Sequence, residues 1–96
     1  MTLSELLFEL SSSIRLDMLH ALETAPLTFT KIAERMDLTS SEASRQIERL
    51  ADMKLIEKFV DGGYSITAFG RLVLSFLPNM DFVLKNCDYF LSHDTS

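Results

Sequence analysis

The chain has 96 residues, 47% of them apolar, which suits one domain spanning residues 1–96 with a core of its own. Its net charge of −5 argues against indiscriminate nucleic-acid binding, and its single cysteine, Cys87, excludes an internal disulfide and fits a reducing cytoplasm. No apolar run reaches the roughly 18 residues of a membrane span, and the first residues, with Glu5 and Glu9 and no basic flank, do not read as a secretory signal.

Along the chain, Leu3, Leu6, Leu7 and Leu10 have helical spacing, which Ser11 to Ser13 interrupts. A second helix follows, with Ile14, Met18, Leu19 and Leu22 on one face, closed by Pro26. Thr28 to Thr30 leads into a short helix from Lys31 to Met36, with Ile32, Ala33 and Met36 inward. Thr39-Ser40-Ser41-Glu42 has the form of a capping box, and Ala43, Ile47, Leu50 and Met53 continue from it at helical spacing. Ile56 to Val60 and Tyr64 to Ile66 are β-prone and flank the turn Asp61-Gly62-Gly63, which together predict a hairpin. Thr67 caps a last helical region in which Gly70 permits close packing. Pro78 is expected to kink or restart it. Beyond Pro78, Met80, Val83, Leu84, Cys87, Phe90 and Leu91 share one side.

The fold expected from this order is mainly α with a small β-hairpin wing. It comprises a helix-turn-helix at about 30–53, a wing at about 56–66 and a C-terminal helix at about 67–92. Six of the nine basic residues fall between 28 and 60, namely Lys31, Arg35, Arg45, Arg49, Lys54 and Lys58, so a DNA footprint belongs there. A recognition helix must anchor one face and offer short polar groups and arginines on the other. Ser40, Ser41, Ser44, Arg45, Gln46 and Arg49 are expected outward or sideways, with Arg45 suited to guanine and Gln46 to adenine. Lys58, near the base of the wing, is the candidate phosphate contact there. Glu42, Glu48 and Asp52 on the same helix would repel phosphate, and the alternative is an ordinary amphipathic helix with a solvated face.

The run from Thr30 to Leu50 resembles the helix-turn-helix of ArsR-like and MarR-like winged-helix regulators. Ser44-Arg45-Gln46-Ile47 is similar to the ArsR-type core Ser-Arg-His-Leu, and Met53-Lys54-Leu55-Ile56 to the lead into the wing. Tyr64-Ser65-Ile66-Thr67-Ala68-Phe69-Gly70 resembles the Tyr-x-Leu-Thr-x-x-Gly pattern that leaves it. The match covers roughly residues 8–76. It implies DNA contacts at Ser41, Ser44, Arg45 and Arg49. The tail from Asn86 to Asp94 resembles the segment joining such a domain to a C-terminal sensor domain in archaeal regulators of methanogens and their relatives. The chain thus reads either as a stand-alone relative or as a DNA-binding fragment. The wing tip departs from the pattern: many such wings carry Arg or Lys where Asp61-Gly62-Gly63 stands.

Other chemistry is sparse. His20, Cys87, Asp88 and His93 are the metal-ligand candidates, but their spacing does not converge on one site. There is no Cys-x-Cys motif, no nucleophile elbow and no phosphate loop. The expectation is a non-enzyme with no cofactor. Its partners are double-stranded DNA and a second copy of itself, with no membrane partner and with the effector left open. The dimer is expected to form through Leu3, Leu6, Leu7 and Leu10 and through the stripe from Met80 to Leu91, because a monomer this small would leave both exposed. The rival reading is a winged helix used for protein–protein contact within a larger assembly.

Overall fold

The computed structural model describes residues 1–93, with the side chain of Phe90 outside that description. Helix α1 (Leu3–Leu10) opens on a full capping box, in which Thr2 Oγ1 accepts from the Glu5 N–H and Glu5 accepts from the Thr2 N–H. Ser12 caps α2 (Ser13–Thr24) by accepting from the Arg15 N–H at 3.3 Å. A two-residue strand, β1 (Leu27–Thr28), precedes α3 (Phe29–Met36), which Thr28 caps. Asp37, left-handed at φ 53°, turns the chain into α4 (Ser40–Asp52), which Thr39 caps. Strands β2 (Ile56–Lys58) and β3 (Gly63–Ile66) form the wing, and α5 (Ala68–Lys85) and α6 (Cys87–Ser92) follow.

Helices α2, α3 and α4 enclose the core with Met18, Leu19, Leu22, Ile32, Ile47 and Leu50. Leu55, Ile56 and Ile66 close it from the wing side, and Val73 and Leu74 from α5. The sheet order is β1-β3-β2, antiparallel throughout, with Leu27 opposite Tyr64 and Ile56 opposite Ile66. The sequence reading missed β1, because two residues carry no alternation to detect. At Gly70 a Cβ would run into the Leu55 carbonyl oxygen and lie 2.8 Å from Ile66 Cγ1, so the helix seats on the sheet only without one.

Two expectations about the helices need correction. Leu10 is buried in the protomer's own core and Leu6 packs half-buried against it. Only Leu3 and Leu7 of that stripe stand exposed. And α5 continues unbroken through the exposed Pro78, which does not restart it. It stops instead at Asn86, whose side-chain amide donates to the Phe82 carbonyl at 2.8 Å and competes with continuation of the helix. Beyond Leu77 the chain leaves the body as an arm and stretches the molecule to 55 × 27 × 22 Å. Met80, Phe82, Val83, Leu84, Tyr89 and Leu91 are all exposed along it. Cys87, placed on the same stripe, is exposed as well. A groove of about 1000 Å³ runs between α2 and this arm, lined among others by Leu16, His20, Leu77 and Leu84.

Candidate nucleic-acid interface

Helix α4 is anchored by Ala43, Ile47 and Leu50, and that anchoring decides what its other side presents. Ser40, Ser41, Ser44 and Arg45 are all exposed, and Ser41, Ser44 and Arg45 share one face at i, i+3, i+4 spacing. Arg45 leaves two-thirds of its side chain in solvent and pairs with Glu42 one turn back. The Glu42 carboxyl lies below its ordinary range, chiefly through the hydrogen bond from Gln46 and then through the Arg45 charge. This arrangement also corrects the capping box. Thr39 Oγ1 accepts from the Glu42 N–H at 3.2 Å, but the Glu42 carboxylate is drawn along the helix by Gln46 and Arg45.

Gln46 is the clearest reversal. Expected outward to read adenine, it is buried: its amide donates to Glu42 Oε1 at 3.0 Å, and its carbonyl accepts from Arg15 Nη1 at 2.8 Å. Arg15 itself is buried and reaches back to the end of α1, donating from Nε to the Glu9 carbonyl at 2.6 Å and from Nη2 toward the Phe8 carbonyl at 3.4 Å. Glu9 completes the set. Its carboxylate lies 3.3 Å from Arg15 Nε and takes a two-pronged hydrogen bond from Arg49, with Nε at 3.0 Å and Nη2 at 2.9 Å. The Arg49 guanidinium also lies 5.5 Å from the centre of the Phe8 ring. The Glu9 hydrogen bonds and charge hold the Arg49 pKa above its ordinary value. Arg49, expected to be free for DNA, is therefore engaged within the protomer.

Sequence reasoning missed Glu9 and Arg15, because their partners lie on α4, 31 and 40 positions away along the chain. In the wing, Lys58 is exposed, with Nζ 5.9 Å from the centre of the Tyr64 ring. The tip holds Phe59, Val60 and Asp61, all exposed, and Gly62 in a left-handed turn at φ 87°. Asp61 Oδ1 accepts the Gly63 N–H at 2.9 Å, so this acid shapes the turn. The metal-ligand candidates do not converge. His20 pairs with Glu23, His93 stacks on Tyr89, and no cluster suited to a metal ion occurs among the described residues.

A helix-turn-helix seated on a three-helix core and followed by a β-hairpin defines a winged helix-turn-helix domain. The family model of the HVO_A0261 N-terminal domain matches residues 3–83, and the chain belongs to that family. Its structure is similar to that of the quinone-bound YodB from B. subtilis, with a TM-score of 0.72 at 18% sequence identity over 81% of this chain and 88% of that one. The likeness is one of fold. No match was found among curated proteins. Among the described residues, no helix is long and apolar enough to cross a membrane.

Proposed function

We propose that the chain is a transcription regulator that binds double-stranded DNA sequence-specifically as a homodimer. The observation that carries this reading is the exposed face Ser40, Ser41, Ser44 and Arg45 on a helix whose opposite side is locked into the core. Arg45 is the base-reading side chain, with its guanidinium suited to guanine O6 and N7. The serines at the start of α4 contact phosphate or base edges. Lys58 adds a phosphate contact from the wing. Gln46 takes no part in the readout, since its amide is consumed inside the protomer.

Dimerisation follows from apolar surface that one protomer leaves uncovered: Leu3 and Leu7 on α1, and Met80, Val83, Leu84 and Leu91 on the arm. Pairing about a two-fold axis covers these residues and sets two copies of α4 about 34 Å apart, one turn of DNA. The acidic members of α4, Glu42, Glu48 and Asp52, and the acidic wing tip favour the second reading, a protein-binding winged helix. The two separate in a gel-shift assay with the DNA upstream of the chain's own gene, at two salt concentrations. DNA binding that weakens by about 1–3 kcal/mol in a folded Arg45→Ala variant supports the regulator reading. No binding by the wild type, or unchanged binding by that variant, overturns it.

A further inference from the structure

Arg49 points from α4 toward the last turn of α1, and there it is held by a two-pronged carboxylate and an aromatic face. A guanidinium meets the same geometry at a DNA phosphate: two oxygens, one negative charge and a planar fork to match. We infer that Glu9 is an internal phosphate surrogate, which competes with DNA for Arg49 and makes α1 a brake on DNA binding. The inference rests on the DNA-binding reading of α4.

Three features support the brake. The Glu9 side chain is 14% exposed while that of Arg49 is 38% exposed, so the pair is shielded on the carboxylate side and open on the guanidinium side. Helix α1 is only lightly held by apolar contact: Leu10 is buried, Leu6 is half-buried, and Leu3, Leu7 and Phe8 stand exposed. Its polar ties run to Arg15 and Arg49, and Arg15 is itself bonded to Gln46 of α4. A phosphate that captures Arg49 therefore removes one of the ties of α1 to the recognition helix. The coupling is reciprocal: whatever seats α1 more firmly on α4 weakens DNA binding, and bound DNA loosens α1.

The test is a fluorescence-anisotropy titration of the chain's own upstream duplex across a salt series. It compares the wild type, Glu9→Gln, Phe8→Ala, Arg49→Gln and the double variant Glu9→Gln/Arg49→Gln, with folding checked by circular dichroism. Glu9→Gln is expected to bind several-fold more tightly, with the slope of log K against log salt steeper by about 0.9, one additional phosphate. Phe8→Ala, which alters an exposed side chain and no charge, is expected to gain about two-fold in the same direction. The double variant is expected to bind no more tightly than Arg49→Gln. A folded Glu9→Gln with unchanged or weaker binding overturns the inference, as does a gain that persists without Arg49, which would be a general charge effect. If Glu9→Gln does not fold, Phe8→Ala decides by the same criterion. No binding by the wild type or any variant overturns the DNA reading itself and the brake with it. Binding by the wild type with no response at Glu9 and Phe8 overturns the brake alone.

Discussion

Arg15 is buried to 7% exposure and links three helices, so replacing it with methionine tests whether the polar network holds the domain together. Methionine keeps a long unbranched stem and removes every donor. The change strips the Gln46 carbonyl of its donor at 2.8 Å and the Glu9 carbonyl at the end of α1 of its donor at 2.6 Å. The Glu9 carboxylate keeps Arg49 and is not left alone. An acceptor left unsatisfied costs about 1–3 kcal/mol, so the two of them, one buried and one part-buried, place the loss at about 2–6 kcal/mol. A domain of this size has about 5–15 kcal/mol in all, and each kcal/mol moves its Tm by about 4–8 °C. Arg15→Met should therefore lower Tm by at least about 8 °C in thermal melts, and the urea midpoint with it, at fixed protein concentration. Adding Gln46→Leu should recover part of the loss, because the orphaned carbonyl is then gone as well. If Arg15→Met melts within about 0.5 kcal/mol of the wild type, the network is a surface feature and the reasoning fails.

Three further outcomes follow from particular contacts. Gly70→Ala forces a Cβ against the Leu55 carbonyl oxygen and should destabilise by about 1–3 kcal/mol in the same melts, and an unchanged Tm would mean that α5 shifts freely on the sheet. Asp61→Asn keeps an acceptor for the Gly63 N–H while removing a negative charge from the wing tip, so DNA affinity should rise in an anisotropy titration; no change would place the hairpin away from DNA. Leu84→Glu, at a position 71% exposed in the protomer, should turn a dimer into a folded monomer in sedimentation velocity at tens of micromolar, whereas a wild type that sediments as a monomer would remove the dimer from the proposal.

Much of the architecture was readable from local signals. The N-caps at Thr39 and Thr67, the turn at Asp61-Gly62-Gly63 and the apolar spacing of α2 and α4 all fall where the chain pattern puts them. The errors lie where identity and position disagree. Gln46 stands three residues after Ala43 and four before Leu50, on the buried stripe of α4, yet its polarity argued for solvent. The buried guanidinium of Arg15 makes that position tolerable, and no local window contains both residues. The leucines of α1 form two adjoining stripes, Leu6 with Leu10 toward the core and Leu3 with Leu7 toward solvent, and spacing alone does not say where one ends. The serine and arginine face of α4 was legible because exposure follows directly from the helical period once Ala43, Ile47 and Leu50 are inside.

The charge pattern of α4 also bears on how an acidic chain would discriminate among DNA sequences. Both arginines of the helix already have a carboxylate, Glu42 for Arg45 and Glu9 for Arg49. Phosphate attraction is nearly uniform along any duplex, so a face whose cations are internally neutralised gains little from it, and non-specific binding stays weak. The two arginines differ in what it takes to free them. Arg45 and Glu42 form an exposed pair on one helix, of the kind whose net strength in water is small, so a guanine edge can take Arg45 without disturbing the fold. Arg49 is tied to a different helix through a shielded carboxylate, so its capture draws on the seating of α1. On the proposed reading, base recognition by Arg45 comes first, and the phosphate contact of Arg49 is added only where the protein can release α1. Affinity then depends on the state of a helix that need not touch DNA at all.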